Sequence, residues 1–244
     1  MAVTELILVR HGESVGNVAR EEAESTGAPS IAMDMRDADV PLSELGVQQA
    51  RAVGRWLAED PDRLPDAVWS SPYLRARSTA QAALAELADP PALRQDERIR
   101  DRELGVLDLL TRRGVGDRFP AEAQRRSWLG KFYYRPPGGE SWADLVLRIR
   151  SFLADLERGP AHGRHLIVSH DAVILLFRYV CEQLDEDSVF EIARSGSVTN
   201  ASVSRLVRQD GEPGWRTAVY NDHQHLEAYG ARATEHPGEI DAPR

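Results

Sequence analysis

Arg10-His11-Gly12 is a point in the chain where the residue types could act on an anion. Arg10 carries a planar fork of N–H donors that suits a phosphate or a carboxylate. His11 can be a nucleophile, a base or a metal ligand. Gly12 lets backbone N–H groups come close to an anion. His170 repeats the pattern. It ends the run His165-Leu166-Ile167-Val168-Ser169 much as His11 follows Leu6-Ile7-Leu8-Val9. Both apolar runs read as buried strands, and open α/β sheets bind ligands at strand carboxyl ends. One strand-end histidine is usually structural. Two on separate strands, with Arg10 and Arg75, form a constellation suited to phosphoryl transfer onto a histidine. A phosphomonoester dianion needs several cationic donors around its oxygens, and a protonated His170 would add one. Paired histidines can also hold a metal, but few carboxylates adjoin these two in sequence, so no metal is expected.

The segments between must position these groups. Residues 18–40 are polar and read as a loop with one helical turn after Asn17. Ser43 is a good N-cap for a helix whose apolar stripe is Leu45, Ala50, Val53, Trp56 and Leu57. Residues 67–70 read as a strand. Pro72 suits the first turn of a helix reaching about residue 87. Residues 98–105 are a run of alternating charges. A helix is expected around 121–129, another after the Ser141 cap, and a nearly all-apolar one over 172–184. Two strands at 199–207 and 215–220 pair as a hairpin across Asp210-Gly211. No internal repeat or linker divides the chain, so residues 1–230 read as one α/β domain and 231–244 as a loose tail.

The run Leu8-Val9-Arg10-His11-Gly12-Glu13-Ser14, with Asn17 three residues on, resembles the signature of the histidine phosphatase superfamily, which includes the cofactor-dependent phosphoglycerate mutases. Ser70-Ser71, Arg75-Ala76 and Thr79-Ala80 are similar to its second motif. Val168-Ser169-His170 is similar to its last, with Asp171 where glycine is common. The likeness spans residues 4–207 in the family's order. It implies a three-layer α/β/α sandwich with a mostly parallel central sheet. It implies His11 as the phosphorylated nucleophile, Arg10, Gly12, Asn17 and Arg75 as phosphate-binding, and His170 as catalytic. In the family a carboxylic acid four residues before a glycine is the general acid. Counting back from Gly105 gives Asp101, where glutamate is usual, and Glu103 is the other carboxylate in reach.

The expected function is therefore a phosphatase that hydrolyses a small-molecule phosphomonoester through a phosphohistidine on His11, with no cofactor. A mutase sharing the site is the alternative, and a non-catalytic phosphate-binding module is a third. The module is disfavoured because each phosphate-pocket position holds a competent residue. The mutase is disfavoured because its acid segment and substrate-gripping lysine are not recognisable. Arg112 and Arg113 could replace its arginine pair, but no residue-by-residue match supports them.

Composition limits the partners. The formal charge of −9 argues against nonspecific nucleic-acid binding, and no apolar window is long enough to span a membrane. Cys181 is the only cysteine, so no intrachain disulfide can form. With no leader-like start, a cytoplasmic location is expected. The partner is a phosphorylated small molecule, and a homodimer is left open.

Overall fold

The structure is a computed structural model that describes residues 3–159, 163–208 and 214–236. Its centre is β1 (Val3–Arg10), apolar on both sides because both of its faces are covered. Leu6 and Leu8 pack with Trp142, Ile149, Phe152 and Phe177. Ile7 and Val9 point the other way, onto Val53, Leu57, Ala76 and Ala80. The period-two alternation of a strand thus divides one apolar run between two cores.

The other strands are β2 (Ala67–Ser70), β3 (Leu93–Gln95), β4 (Gly163–Ser169), β5 (Val203–Val207) and β6 (Arg216–Asp222). They form one sheet in the order β3-β2-β4-β1-β5-β6. The first four in that order run parallel, β5 is antiparallel to β1, and β6 is antiparallel to β5. One helical layer holds α2 (Glu44–Ala58), α3 (Leu74–Leu84) and α9 (Gln224–Ala228). The other holds α6 (Trp142–Arg158), α7 (Asp171–Cys181) and α8 (Glu186–Arg194). This is the three-layer α/β/α sandwich with a mostly parallel sheet that the resemblance implies. No described helix is long and apolar enough to cross a membrane. Cys181 is free and buried in α7, and burial pushes its thiol up to about 12.

Register brings the strand ends together. Arg10 pairs with Ser169, and Ser70 with Val168. The residues just beyond, His11, Ser71 and His170, therefore emerge side by side. The ladder continues through His11 N–H to the Ser169 carbonyl at 2.9 Å and Ser71 N–H to the Val168 carbonyl at 3.0 Å.

Several local expectations are corrected. Residues 15–26 form α1 (Val15–Thr26), not a loop with one turn. Ser14 and Asn17 make a reciprocal capping box at its start, and Gly27, at φ 66°, closes its end in the left-handed region. In the next irregular stretch, α4 (Arg112–Arg118) precedes α5 (Pro120–Leu129). α8 follows an Asp185 cap that pattern reading passed over. The segment 231–236 is not loose. Ala231 is buried, Gln49 Nε2 donates to the Arg232 carbonyl at 2.9 Å, and Asn200 N–H donates to the Thr234 carbonyl at 3.0 Å. Residues 237–244 and the turn at Asp210-Gly211 lie outside the described residues.

Candidate active site

His11 is buried at the end of β1. Its Nδ1 lies 2.7 Å from the Gly12 carbonyl, an acceptor only, so the ring proton sits on Nδ1. Nε2 then carries the lone pair. Burial, then the charges of Arg75, His170 and Arg10, hold the His11 pKa well below the usual imidazole range. The ring is neutral at neutral pH, as a nucleophile must be.

The His170 ring stands beside it, with centroids 5.1 Å apart. Ser71 Oγ accepts the Tyr73 N–H at 3.2 Å and meets His170 Nε2 at 2.8 Å. Ser71 is thus in place to give its own proton to that nitrogen. His170 Nδ1 is 3.2 Å from Asp101 Oδ2 but off the line of a hydrogen bond. Burial lowers the His170 pKa, against the pull of Asp101.

Two guanidinium groups complete the cationic side. Arg10 is buried, and its Nη1 and Nη2 donate to the carbonyls of Val198 and His236. Its Nε is buried with no hydrogen-bond partner among the described residues, a donor that an oxyanion would satisfy. Arg75 is also buried and binds two carboxylates. Nη2 donates to Asp101 Oδ2 at 2.9 Å, and both terminal nitrogens reach Asp37. Burial opposes the Arg75 charge, but Asp37 and Asp101 outweigh it and raise its pKa.

Asp101, not Glu103, adjoins both His170 and Arg75. Burial works to raise its carboxyl, but His170 and Arg75 overcome that and hold it well below the usual carboxylate range. Its other oxygen accepts the Arg102 N–H at 2.9 Å. Glu103 is half-exposed and accepts the Tyr73 hydroxyl at 2.6 Å.

One expected phosphate contact is corrected. Gly12 N–H donates to Thr79 Oγ1 at 3.0 Å, so it is not free for an anion. Gly12 is small for another reason: a Cβ there would stand 2.4 Å from the Gly46 carbonyl. Asn17 Oδ1 accepts from the Ser14 backbone and hydroxyl and from Asn200 Nδ2, so its amide oxygen serves the helix cap. Arg113 is engaged with the Gly27 carbonyl and Asp117. Lys131 lies 4.5 Å over the Trp142 ring. Sequence reasoning assigned no role to Ser71, although the strand-end logic that found His11 applies to it equally. Asp37 and His236 carried no sequence signal at all.

This arrangement can bind a phosphoryl group and accept it on nitrogen. Nothing in the pattern of donors calls for a metal, and no cluster of potential metal ligands is found among the described residues.

Residues 6–223 match the histidine phosphatase superfamily (branch 1). The chain is 32% identical over 188 residues to a 2,3-bisphosphoglycerate-dependent phosphoglycerate mutase of Methylobacterium radiotolerans, covering 75% of this chain and 82% of that one. It is 31% identical over 170 residues to the 6-phosphofructo-2-kinase/fructose-2,6-bisphosphatase of Caenorhabditis elegans. That match takes 69% of this chain but spans only 32% of the relative. Among solved structures, a mycobacterial glucosyl-3-phosphoglycerate phosphatase with inorganic phosphate superposes with a TM-score of 0.71. Its identity is 25%, over 91% of this chain and 99% of the other.

Proposed function

The chain belongs to branch 1 of the histidine phosphatase superfamily, and from that premise we propose that it is a phosphatase acting on small phosphomonoesters through a phosphohistidine. The observation that carries this reading is the His11 ring: neutral, its Nδ1 proton on the Gly12 carbonyl, its Nε2 free to attack.

In the first step His11 Nε2 forms a bond to phosphorus as the ester P–O bond breaks. Arg10 Nε, Arg75 and His170 hold the equatorial oxygens. The leaving oxygen takes a proton from Asp101 and departs as the alcohol. Asp101 is ionised in the free protein, so it must gain a proton on binding. A phosphate dianion supplies the reason, since it competes for Arg75 and adds like charge beside the carboxyl. In the second step Asp101, now a carboxylate, takes a proton from water as the water oxygen attacks phosphorus. The P–N bond breaks, inorganic phosphate leaves, and His11 and protonated Asp101 are restored.

A mutase would use the same site but exclude water. The mouth favours hydrolysis, because the one lysine is on Trp142, Arg113 is engaged elsewhere, and the residue capping Arg75 is an aspartate.

The test is acid-quench trapping with a labelled phosphomonoester, on wild type and His11→Ala. Label on the wild type alone, released as inorganic phosphate at a competent rate, supports the reading. Turnover near the wild-type rate in His11→Ala would remove it. Transfer of label from 2,3-bisphosphoglycerate to 3-phosphoglycerate, with little release, would make the chain a mutase.

A further inference from the structure

Asp37 has no part in the reaction just described, yet it makes most of the bonds to Arg75. It opens a 3-10 turn, Asp37–Asp39, between α1 and α2. Arg75 Nη1 donates to its carbonyl at 2.6 Å and to Oδ1 at 2.9 Å, and Nη2 donates to Oδ2 at 3.1 Å. The Arg75 side chain is 5% exposed, while that of Asp37 is 42% exposed. Asp37 therefore covers the guanidinium on its solvent side.

Two more carboxylates share that side. Glu103 is half-exposed and bonded to Tyr73, whose ring lies 5.1 Å beneath the Arg75 guanidinium. Asp108 is raised first by burial and next by the charge of Asp37, with Glu103 adding to it and Arg20 opposing. Two guanidinium groups thus line the deep part of the site, while its solvent side carries Asp37, Glu103 and Asp108, with Arg100 3.9 Å from Glu103 and Arg20 set against Asp108.

We propose that Asp37 is a specificity-determining residue that rejects phosphomonoesters whose alcohol bears a second anionic group, leaving esters of uncharged or cationic alcohols as the substrates. This rests on the phosphatase reading and deepens it. The phosphoryl group lies among Arg10, Arg75 and His170, where its charge is met. A carboxylate or second phosphate one or two bonds further out meets Asp37 instead. It cannot take Asp37's place on Arg75 without leaving the Asp37 carboxylate uncompensated at the mouth. An ammonium group or a hydroxyl meets no such penalty.

The experiment uses the full chain and three esters of similar size: glycerol 3-phosphate, 3-phosphoglycerate and phosphoethanolamine, with p-nitrophenyl phosphate as reference. Wild type should show a kcat/KM for 3-phosphoglycerate about tenfold below that for glycerol 3-phosphate, the order expected for one unit charge several Å away in a partly solvated mouth. The difference should lie in KM. Asp37→Asn keeps an acceptor for Arg75 but loses the charge, and should bring the ratio close to one. Asp37→Glu, which keeps the charge, should keep the discrimination. Isothermal titration of His11→Ala with the same esters reads the ratio in binding alone, independent of turnover. Loss of p-nitrophenyl phosphate hydrolysis and of phosphoenzyme, with the binding ratio intact, would count against the phosphatase reading and not against Asp37. Equal binding of 3-phosphoglycerate and glycerol 3-phosphate by wild-type Asp37, or an unchanged ratio in Asp37→Asn, would overturn the assignment.

Discussion

Arg10 and His236 stand 226 positions apart, and Arg10 Nη2 donates to the His236 carbonyl at 2.8 Å. The His236 ring is itself clamped, with Nε2 3.0 Å from Glu13 and Nδ1 3.0 Å from Glu21. Glu13 also accepts the Ser43 hydroxyl at 2.6 Å. The end of the described chain thus props the guanidinium beside the nucleophile. It is tied in turn to α1, the start of α2 and the loop after β1.

Ending the chain at Ala231 should therefore lower kcat/KM for p-nitrophenyl phosphate by about 10–100-fold, the usual effect of misplacing a catalytic donor by an ångström or so. The circular dichroism spectrum should be unchanged. Wild-type kinetics in the truncated protein would mean that the Val198 carbonyl alone holds Arg10.

Asp101→Asn and Glu103→Gln should separate on leaving-group dependence. Of the two carboxylates, Asp101 adjoins both His170 and Arg75. Asp101→Asn should slow an alkyl phosphate by ~10²–10⁴-fold, the range for loss of a general acid, and p-nitrophenyl phosphate much less. Glu103→Gln should show no such contrast. The reverse pattern would transfer the acid role to Glu103.

Activity should survive prolonged EDTA treatment, because Arg10, Arg75 and His170 supply the charge that a metal would otherwise supply. Vanadate and inorganic phosphate should inhibit competitively. Activity lost in EDTA and restored by a divalent ion would instead mark the two histidines as ligands.

Stability should fall with pH below the ordinary histidine range. Burial lowers His11 and His170, and it lowers His225 to about 4. Between the lowered folded value and the unfolded value of about 6.5, the unfolded chain binds more protons, so stability rises with pH across that window. His225 alone is worth on the order of 2–3 kcal/mol by pH 4, at ~1.4 kcal/mol per unit. His225→Gln keeps a donor for the Ala201 carbonyl, which His225 Nε2 meets at 3.1 Å. Its melting temperature should fall less between pH 6.5 and pH 4 than that of wild type. Parallel pH curves for the two proteins would exclude His225 as a source of the acid sensitivity.

Gly12→Ala should destabilise the protein by ~1–3 kcal/mol, the usual cost of overpacking, because its Cβ would press on the Gly46 carbonyl at 2.4 Å. It should also lower kcat, since relieving that contact moves Gly12 and with it the Gly12 carbonyl that orients His11. A denaturant midpoint and turnover both at wild-type level would show that the loop after β1 relaxes freely.

Sequence alone determined the elements whose signals are local. β1 and β4 were legible because a short apolar run bounded by charge can only be a buried segment. α2 and α6 were legible from caps and periodicity, and α7 from its apolar run, although Asp171 is its first residue and not its cap. His11, His170, Arg10 and Arg75 followed as side chains at or near strand ends. α1 was missed because its apolar face is weak, with only Ala23 buried, and its stability comes from its two caps. The count from Gly105 pointed to Asp101, but periodicity could not separate it from Glu103, since in extended chain both face one side. The fold separates them by setting one against Arg75 and turning the other to Tyr73.

The tertiary structure decided which atoms meet. Gly12 looked like an anion contact, but its N–H belongs to Thr79, because α3 packs against the loop after β1. Asp37 and His236 were unremarkable polar residues until the chain brought them onto Arg75 and Arg10. Strand and helix signals depend on neighbours a few positions apart, so periodicity records them. The second contacts of a buried guanidinium depend on desolvation: each N–H removed from water needs an acceptor, and the fold supplies whichever lies nearest in space, however distant in sequence.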